Sequence, residues 1–193
     1  MNLGVFDCAN GVINLIVQDG DLVVRNATYK DSSYIDKLQK ESAYAVGFIQ
    51  KTIWDKYVFG GERNFFVLMC EANNQPVGYA LVTPGHKGGD FVRIQQIAVQ
   101  SDARRLHYGS MLIGAIKRFC NEHSRIGARL RCRRDLESNL FWAALGFQQY
   151  GTWEKGKVNH VGFKASNDIC LWEIMLSDSI LTFPFLFNST AGN

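Results

Sequence analysis

Nowhere in this chain do about 18 apolar residues run together, so a transmembrane helix is not expected. Met1 to Ala9 hold no basic cluster and include Asp7, so they do not read as a signal peptide. The five cysteines (Cys8, Cys70, Cys120, Cys132, Cys170) are odd in number and include no Cys-x-x-Cys pair. That pattern fits reduced thiols in a cytoplasmic protein and argues against a disulfide framework. Cysteines and histidines do not cluster at metal-ligand spacing. Cys120 and His123 share a helix face, but two ligands make a poor zinc site, and no metal is expected. The sequons at Asn26 and Asn188 carry no meaning without secretion. Charge of one sign is also scarce: a net +3 is too little to imply nucleic acid by itself. Repeats and low-complexity segments are absent.

What is present suffices for one well-buried domain: 193 residues, 47% hydrophobic and 20% charged. Residues 12–17 and 22–26 read as strands around a turn at Asp19-Gly20-Asp21. A helix is predicted over 28–42, striped by Tyr34, Ile35 and Leu38, with Asp31 or Ser32 as cap. A second helix is predicted over about 45–57, stopped by Gly60-Gly61. Two apolar strands, 65–71 and 77–82, flank the turn Asn73-Asn74-Gln75-Pro76, and a glycine-rich link at 85–89 leads to a strand over 91–99. A helix over 109–123, a strand over 128–133, a short helix over 138–145 and strands over 147–153 and 168–176 complete the order. The expected fold is α/β (α+β): a single mixed, mostly antiparallel sheet flanked by helices.

The most informative stretch is Ile97 to Ile113. An apolar strand ends in Ile97-Ala98-Val99, a polar turn follows, and Gly109-Ser110 opens an apolar-periodic helix. Exposed N–H groups beside the positive end of a helix dipole make a site for phosphate oxygens. Arg104 and Arg105 add fixed positive charge there. A ligand carrying a pyrophosphate is the natural occupant.

These residues resemble the GNAT superfamily of acyl-CoA-dependent N-acyltransferases. One motif is a hydrophobic-Ala-Val strand followed by Arg/Gln-x-x-Gly-x-Gly/Ala, here Ile97-Ala98-Val99 and then Arg104-Arg105-Leu106-His107-Tyr108-Gly109. The other is a short helix ending in Leu-Gly-Phe, here Asp135 to Phe147. Val24-Arg25-Asn26-Ala27-Thr28 with Asp31 looks like the family's first strand and helix cap. The resemblance covers residues 22–176, leaving 1–21 as an N-terminal extension with an extra strand and 177–193 as an apolar tail.

The resemblance implies transfer of an acetyl or short acyl group from acyl-CoA to a primary amine, by direct attack in a ternary complex. Acetyl-CoA serves as donor substrate and no metal takes part. Acyl-CoA would lie in a split between strand 94–99 and strand 128–133, its pantetheine arm paired with backbone near Ile97, Ala98 and Val99. N–H groups from Arg104 through Leu106, His107, Tyr108 and Gly109 to Ser110 would hold the pyrophosphate. A strand N–H would stabilise the oxyanion.

The chain departs from the family pattern at several positions. His107 stands where the first glycine is usual, so its ring either contacts phosphate or points to solvent. Trp142 occupies the place of a tyrosine general acid; an indole gives up no proton, so packing against the acyl or pantetheine chain is expected. Asp135 replaces a common Asn, and Asn139 could take over its contact with CoA, with helix capping the plainer role for either. Gln95 and Gln96 stand where a carboxylate base is usual, leaving Gln95 with water, or Glu71, as weak candidates and the catalytic residues unknown. These departures also suit a non-catalytic CoA-binding or interaction module on the same fold.

Arg129, Arg131 and Arg133 share one strand face, either as a basic groove for an acidic acceptor, nucleic acid included, or as a solvated face partnered by Glu137 or Asp135. Cys132 reads as core rather than as a nucleophile. Phe48, Trp54, Tyr57 and Trp153 either shape an acceptor pocket or belong to the core. The apolar segment Leu181 to Phe187 either folds back on the domain or covers a homodimer interface, the preferred reading.

Overall fold

A computed structural model describes residues 17–55, 65–83, 90–158 and 166–176, with side chains from Gly20 onward. The expected strand at 12–16, the end of the second helix with Tyr57, Cys8 and the tail from Ser177 lie outside these residues. Eight strands form one sheet in the order β1-β2-β3-β4-β5-β6-β8-β7. They are β1 (Val17–Asp19), β2 (Leu22–Asn26), β3 (Phe66–Ala72), β4 (Gln75–Thr83), β5 (Phe91–Val99), β6 (Gly127–Arg133), β7 (Gln148–Trp153) and β8 (Ile169–Met175). Every neighbouring pair is antiparallel except β5 with β6. The helices are α1 (Ser32–Glu41), α2 (Ala43–Val46), α3 (Lys51–Ile53), α4 (Tyr108–Glu122) and α5 (Ser138–Ala144).

The apolar runs of β3 and β4 follow from burial on both faces. Phe66, Leu68 and Cys70 join the core beneath α4, while Val67 and Met69 join a second core beneath α1 with Ile35, Leu38, Trp54, Tyr79 and Leu81. The β3–β4 hairpin turns at Asn73 and Asn74, both with positive φ (51° and 60°), the conformation of a tight hairpin turn that Asn tolerates. Burial pushes the Cys70 thiol up to about 12, consistent with an unreactive core cysteine. The other described cysteines are also buried and free.

The predicted helix over 45–57 does not form as one piece. Gly47 adopts φ +77° and ends α2, a conformation that a side chain would strain. Gln96 of β5 then fastens the break: its Nε2 donates to Val46 O (3.1 Å), and Tyr79 donates to its Oε1 (3.0 Å).

Where α1 begins, Asp31 accepts from Thr28 N–H (2.7 Å) and takes both Arg25 nitrogens at 2.8 Å. Burial alone would raise the Asp31 carboxyl, but Arg25 and Thr28 overcome it and hold it below its ordinary 3.8. A depressed folded-state value means stabilisation in full above the ordinary carboxylate value and its loss as pH falls through the folded one. The stability difference between the native chain and Asp31→Asn should therefore be constant near neutrality and shrink below about pH 4; chemical denaturation at several pH values measures it. Gly127 at the start of β6 has no room for a side chain, since a Cβ would lie 2.0 Å from Ile174 O. Gly127→Ala should cost about 3 kcal/mol in the same assay.

Candidate active site

Strand β5 changes phase within its own length. Val92 and Ile94 pack into the core beneath α4, but Ala98 packs into the core beneath α1. The β4 register explains this: Val82 pairs with Ile94 and Leu81 with Gln96, so Gln95 is an extra residue, a β-bulge. Ile97 and Val99 consequently turn toward the α4 side.

Beside the bulge the sheet opens. Parallel strands β5 and β6 pair from Phe91–Gly127 to Ile94–Leu130 and no further. Beyond that rung, residues 96–99 keep β4 on one edge, and among the described residues no strand pairs with the other. At the open end β5 runs through a short 3-10 turn, Ser101–Ala103, into α4. The first backbone bond of α4 runs from Met111 N–H to His107 O, so the N–H groups of Tyr108, Gly109 and Ser110 precede the helical ladder. Arg104 and Arg105 are exposed beside them, and Arg104 Nε donates to Val99 O at 3.4 Å. The sheet opening, the free helix start and two fixed positive charges thus meet at one end of β5.

Arg105 and His107 both hold φ +64°, so residues bearing Cβ take up a left-handed backbone normally cheapest for glycine. The His107 side chain is exposed. Gly109 lies against the ring of Phe141 on α5, with room for a Cβ only 3.0 Å from Cζ.

Three of the sequence-derived candidates have the following surroundings. Trp142 is core: it is 4% exposed, its ring edge-on to Phe141 and Phe147 at 4.9 and 5.3 Å. The apolar face of α5 is buried against β6 and β7, which turns this ring into the core. Asn139 is already committed. Its Nδ2 donates to Arg133 O and Leu136 O (2.8 Å each), and its Oδ1 accepts from Trp172 Nε1 (3.0 Å). Glu71 sits on β3, separated from β5 by β4, with Arg25 Nε donating to its carboxylate at 3.0 Å.

Of the two glutamines, Gln95 stays exposed at the opening with its Nε2 donating to Thr83 Oγ1 (3.1 Å), whereas Gln96 is buried in the α2 tether. Asp135 caps no helix; Arg133 and then Tyr44 OH hold its carboxylate below the ordinary range. Cys132 is buried, and burial raises its thiol. Among the described residues no group of three His, Cys, Asp or Glu could hold a metal ion.

Sequence reasoning passed over Tyr44 and Arg93. Tyr44 reaches from α2 to the far end of β6, its hydroxyl accepting from Arg133 Nη2 (2.8 Å) and donating to Asp135 (2.9 Å). Arg93 pairs in register with Arg129, a neighbour visible only once the parallel alignment is known.

Comparison with known proteins agrees with this geometry. The model of the acetyltransferase (GNAT) family matches residues 30–147. The chain belongs to the GNAT acetyltransferase family. It is accordingly an acyl-CoA-dependent N-acetyltransferase. A search of curated proteins finds no match. The fold is similar to that of the ribosomal-protein-S18-alanine N-acetyltransferase of Escherichia coli, with a TM-score of 0.63 and 13% identity over 85% of this chain and 99% of that one. A GCN5-related N-acetyltransferase from Kribbella flavida gives 0.66 and 15% over 81% and 98%. An acetyltransferase from Bacillus anthracis, solved in complex with acetyl coenzyme A, gives 0.52 and 18% over 64% and 68%. At these identities the structures establish the fold alone.

The left-handed strain at His107 yields a direct expectation. His107→Gly should raise the unfolding free energy by about 1 kcal/mol, as read by urea denaturation, while His107→Ala, still bearing a Cβ, should not.

Proposed function

We propose that this GNAT chain moves an acetyl group from acetyl-CoA to a primary amine by direct attack within a ternary complex. The observation that carries this reading is the coincidence of three features: the β5–β6 opening, the bulge at Gln95 and the free N-terminus of α4. The N–H groups of Tyr108, Gly109 and Ser110, with Arg104 and Arg105, bind the donor's pyrophosphate. The open edge of β5 at Ile97, Ala98 and Val99 pairs with the pantetheine amides as an added strand would. Leu106 and His107 supply the loop between them.

In the transfer itself the amine nitrogen forms a bond to the thioester carbonyl carbon and the carbon–sulfur bond breaks. The nitrogen gives up a proton and the CoA thiolate takes one up. A main-chain N–H at the bulged end of β5 stabilises the oxyanion. No carboxylate stands at this point of the strand, so Gln95 holds a water that carries the amine's proton away.

Calorimetry with acetyl-CoA, with thiol release followed across a panel of amines, tests the proposal. The expected result is micromolar binding, about −8 kcal/mol, and amine-dependent release of thiol. Arg104→Ala and Arg105→Ala should each weaken binding about tenfold, or 1.4 kcal/mol. Gly109→Trp should abolish binding and turnover together. Full acetyl-CoA binding in the Gly109→Trp variant would refute the assigned loop.

A further inference from the structure

The sheet face turned away from α4 carries arginines whose charges are unevenly answered. On this face α1 and α2 pack over β4 and β5. Over β6 the face presents Arg129, stacked on Phe91 at 3.7 Å, Arg131 over Trp153 at 5.2 Å, and Arg133 over Tyr44 at 4.0 Å. Arg129 is neutralised by Glu173 (2.9 Å) and Arg133 by Asp135 (2.6 Å). Arg131 and Arg93 have no carboxylate partner among the described residues, although both are exposed and on diagonal positions of adjacent strands. They also repel each other: burial, and then the charge of Arg93, lower the Arg131 pKa from its ordinary value. A protein that spends two carboxylates on the flanking arginines leaves this inner pair unneutralised.

The pair also sits at the reacting end. Arg131 is the first residue of β6 past the last paired rung, as Gln95 is on β5. With strands about 4.8 Å apart and about 3.3 Å per residue, the two guanidinium stems begin within roughly 7 Å of the opening. Guanidinium forks match the oxygens of a phosphate or carboxylate. Tyr44, bridging α2 to Arg133 and Asp135, closes the face on the other side of the opening.

We propose that the acceptor is a small amine carrying a phosphate or carboxylate a few bonds from its nitrogen, gripped by Arg93 and Arg131 on this face. The proposal rests on the acetyl-transfer reading of the β5–β6 opening. It accounts for the charge pair and for its place beside the end of the parallel pairing. Positive charge at this point also disfavours the ammonium form of a nearby amine. That effect supplies part of what Gln95 and Gln96, as amides, cannot.

The test uses matched pairs of free amines: phosphoethanolamine with ethanolamine, and β-alanine with 3-aminopropanol. The full chain, preloaded with CoA, is titrated by calorimetry, and thiol release from acetyl-CoA gives kcat/KM. The anionic member of each pair should bind at least tenfold more tightly. Arg93→Ala and Arg131→Ala should bring that ratio near one while leaving acetyl-CoA affinity within twofold. Lys37→Ala, which removes one exposed charge on α1, should leave the ratio intact. Equal binding within both pairs, or a preference for the neutral members, overturns the proposal whatever the turnover. Binding confined to an acidic peptide such as Ala-Glu-Glu, or to a single-stranded oligonucleotide with steep salt dependence, also overturns it. Loss of the acetyl-CoA site itself would register separately, as failure of the donor titration.

Discussion

Four rungs of parallel pairing between β5 and β6, and their abrupt end at Ile94 and Leu130, are the constraint on which the rest depends. Adjacent parallel strands normally continue together, because each unpaired backbone group left in the interior costs free energy. Here the bulge at Gln95 turns the phase of β5 and increases its local twist, so the strands part. The proposed donor and acceptor sites both lie around that parting. The α4 helix starts from the end of the diverging strand, α5 backs the loop through Phe141, and α2 reaches across to the end of β6.

The two faces of the opening carry positive charge for different reasons. On the helix side, Arg104, Arg105 and the start of α4 concentrate charge where backbone N–H groups are free. On the other side the charge sits on side chains of β5 and β6, half of it cancelled by Glu173 and Asp135. Elsewhere the arginines serve the scaffold: Arg25 joins Asp31 at the entry to α1 with Glu71 at the hairpin end of β3. In this three-way contact the Glu71 carboxylate anchors the edge of the sheet.

Much of this was legible from sequence because it rests on local physics. The unbroken apolar runs of β3 and β4, the Asn73-Asn74 turn and the Gly109-Ser110 helix start follow from propensity and spacing. The break at Gly47 was not, because apolar residues on both sides preserve helical periodicity across it. The bulge left one trace: Gln95 and Gln96 are adjacent polar residues in a strand that otherwise alternates. The burial of Trp142 and the hydrogen bonds of Asn139 were not legible, because motif position says where a residue stands but not which way its side chain faces. Arg93 could not be found at all without the register of two strands distant in sequence.

Gln96 reaches α2 through main-chain oxygens: its amide donates to the carbonyl groups of Val46 and, at 3.4 Å, Gly47. A bond to a carbonyl is indifferent to the side chain that the residue carries. The end of α2 is thus held in place by an attachment blind to the side chain at Val46. Mutation there can alter what α2 presents without detaching it from β5. The fastening and the surface it supports are therefore separable: one depends on main-chain position, the other on side-chain identity.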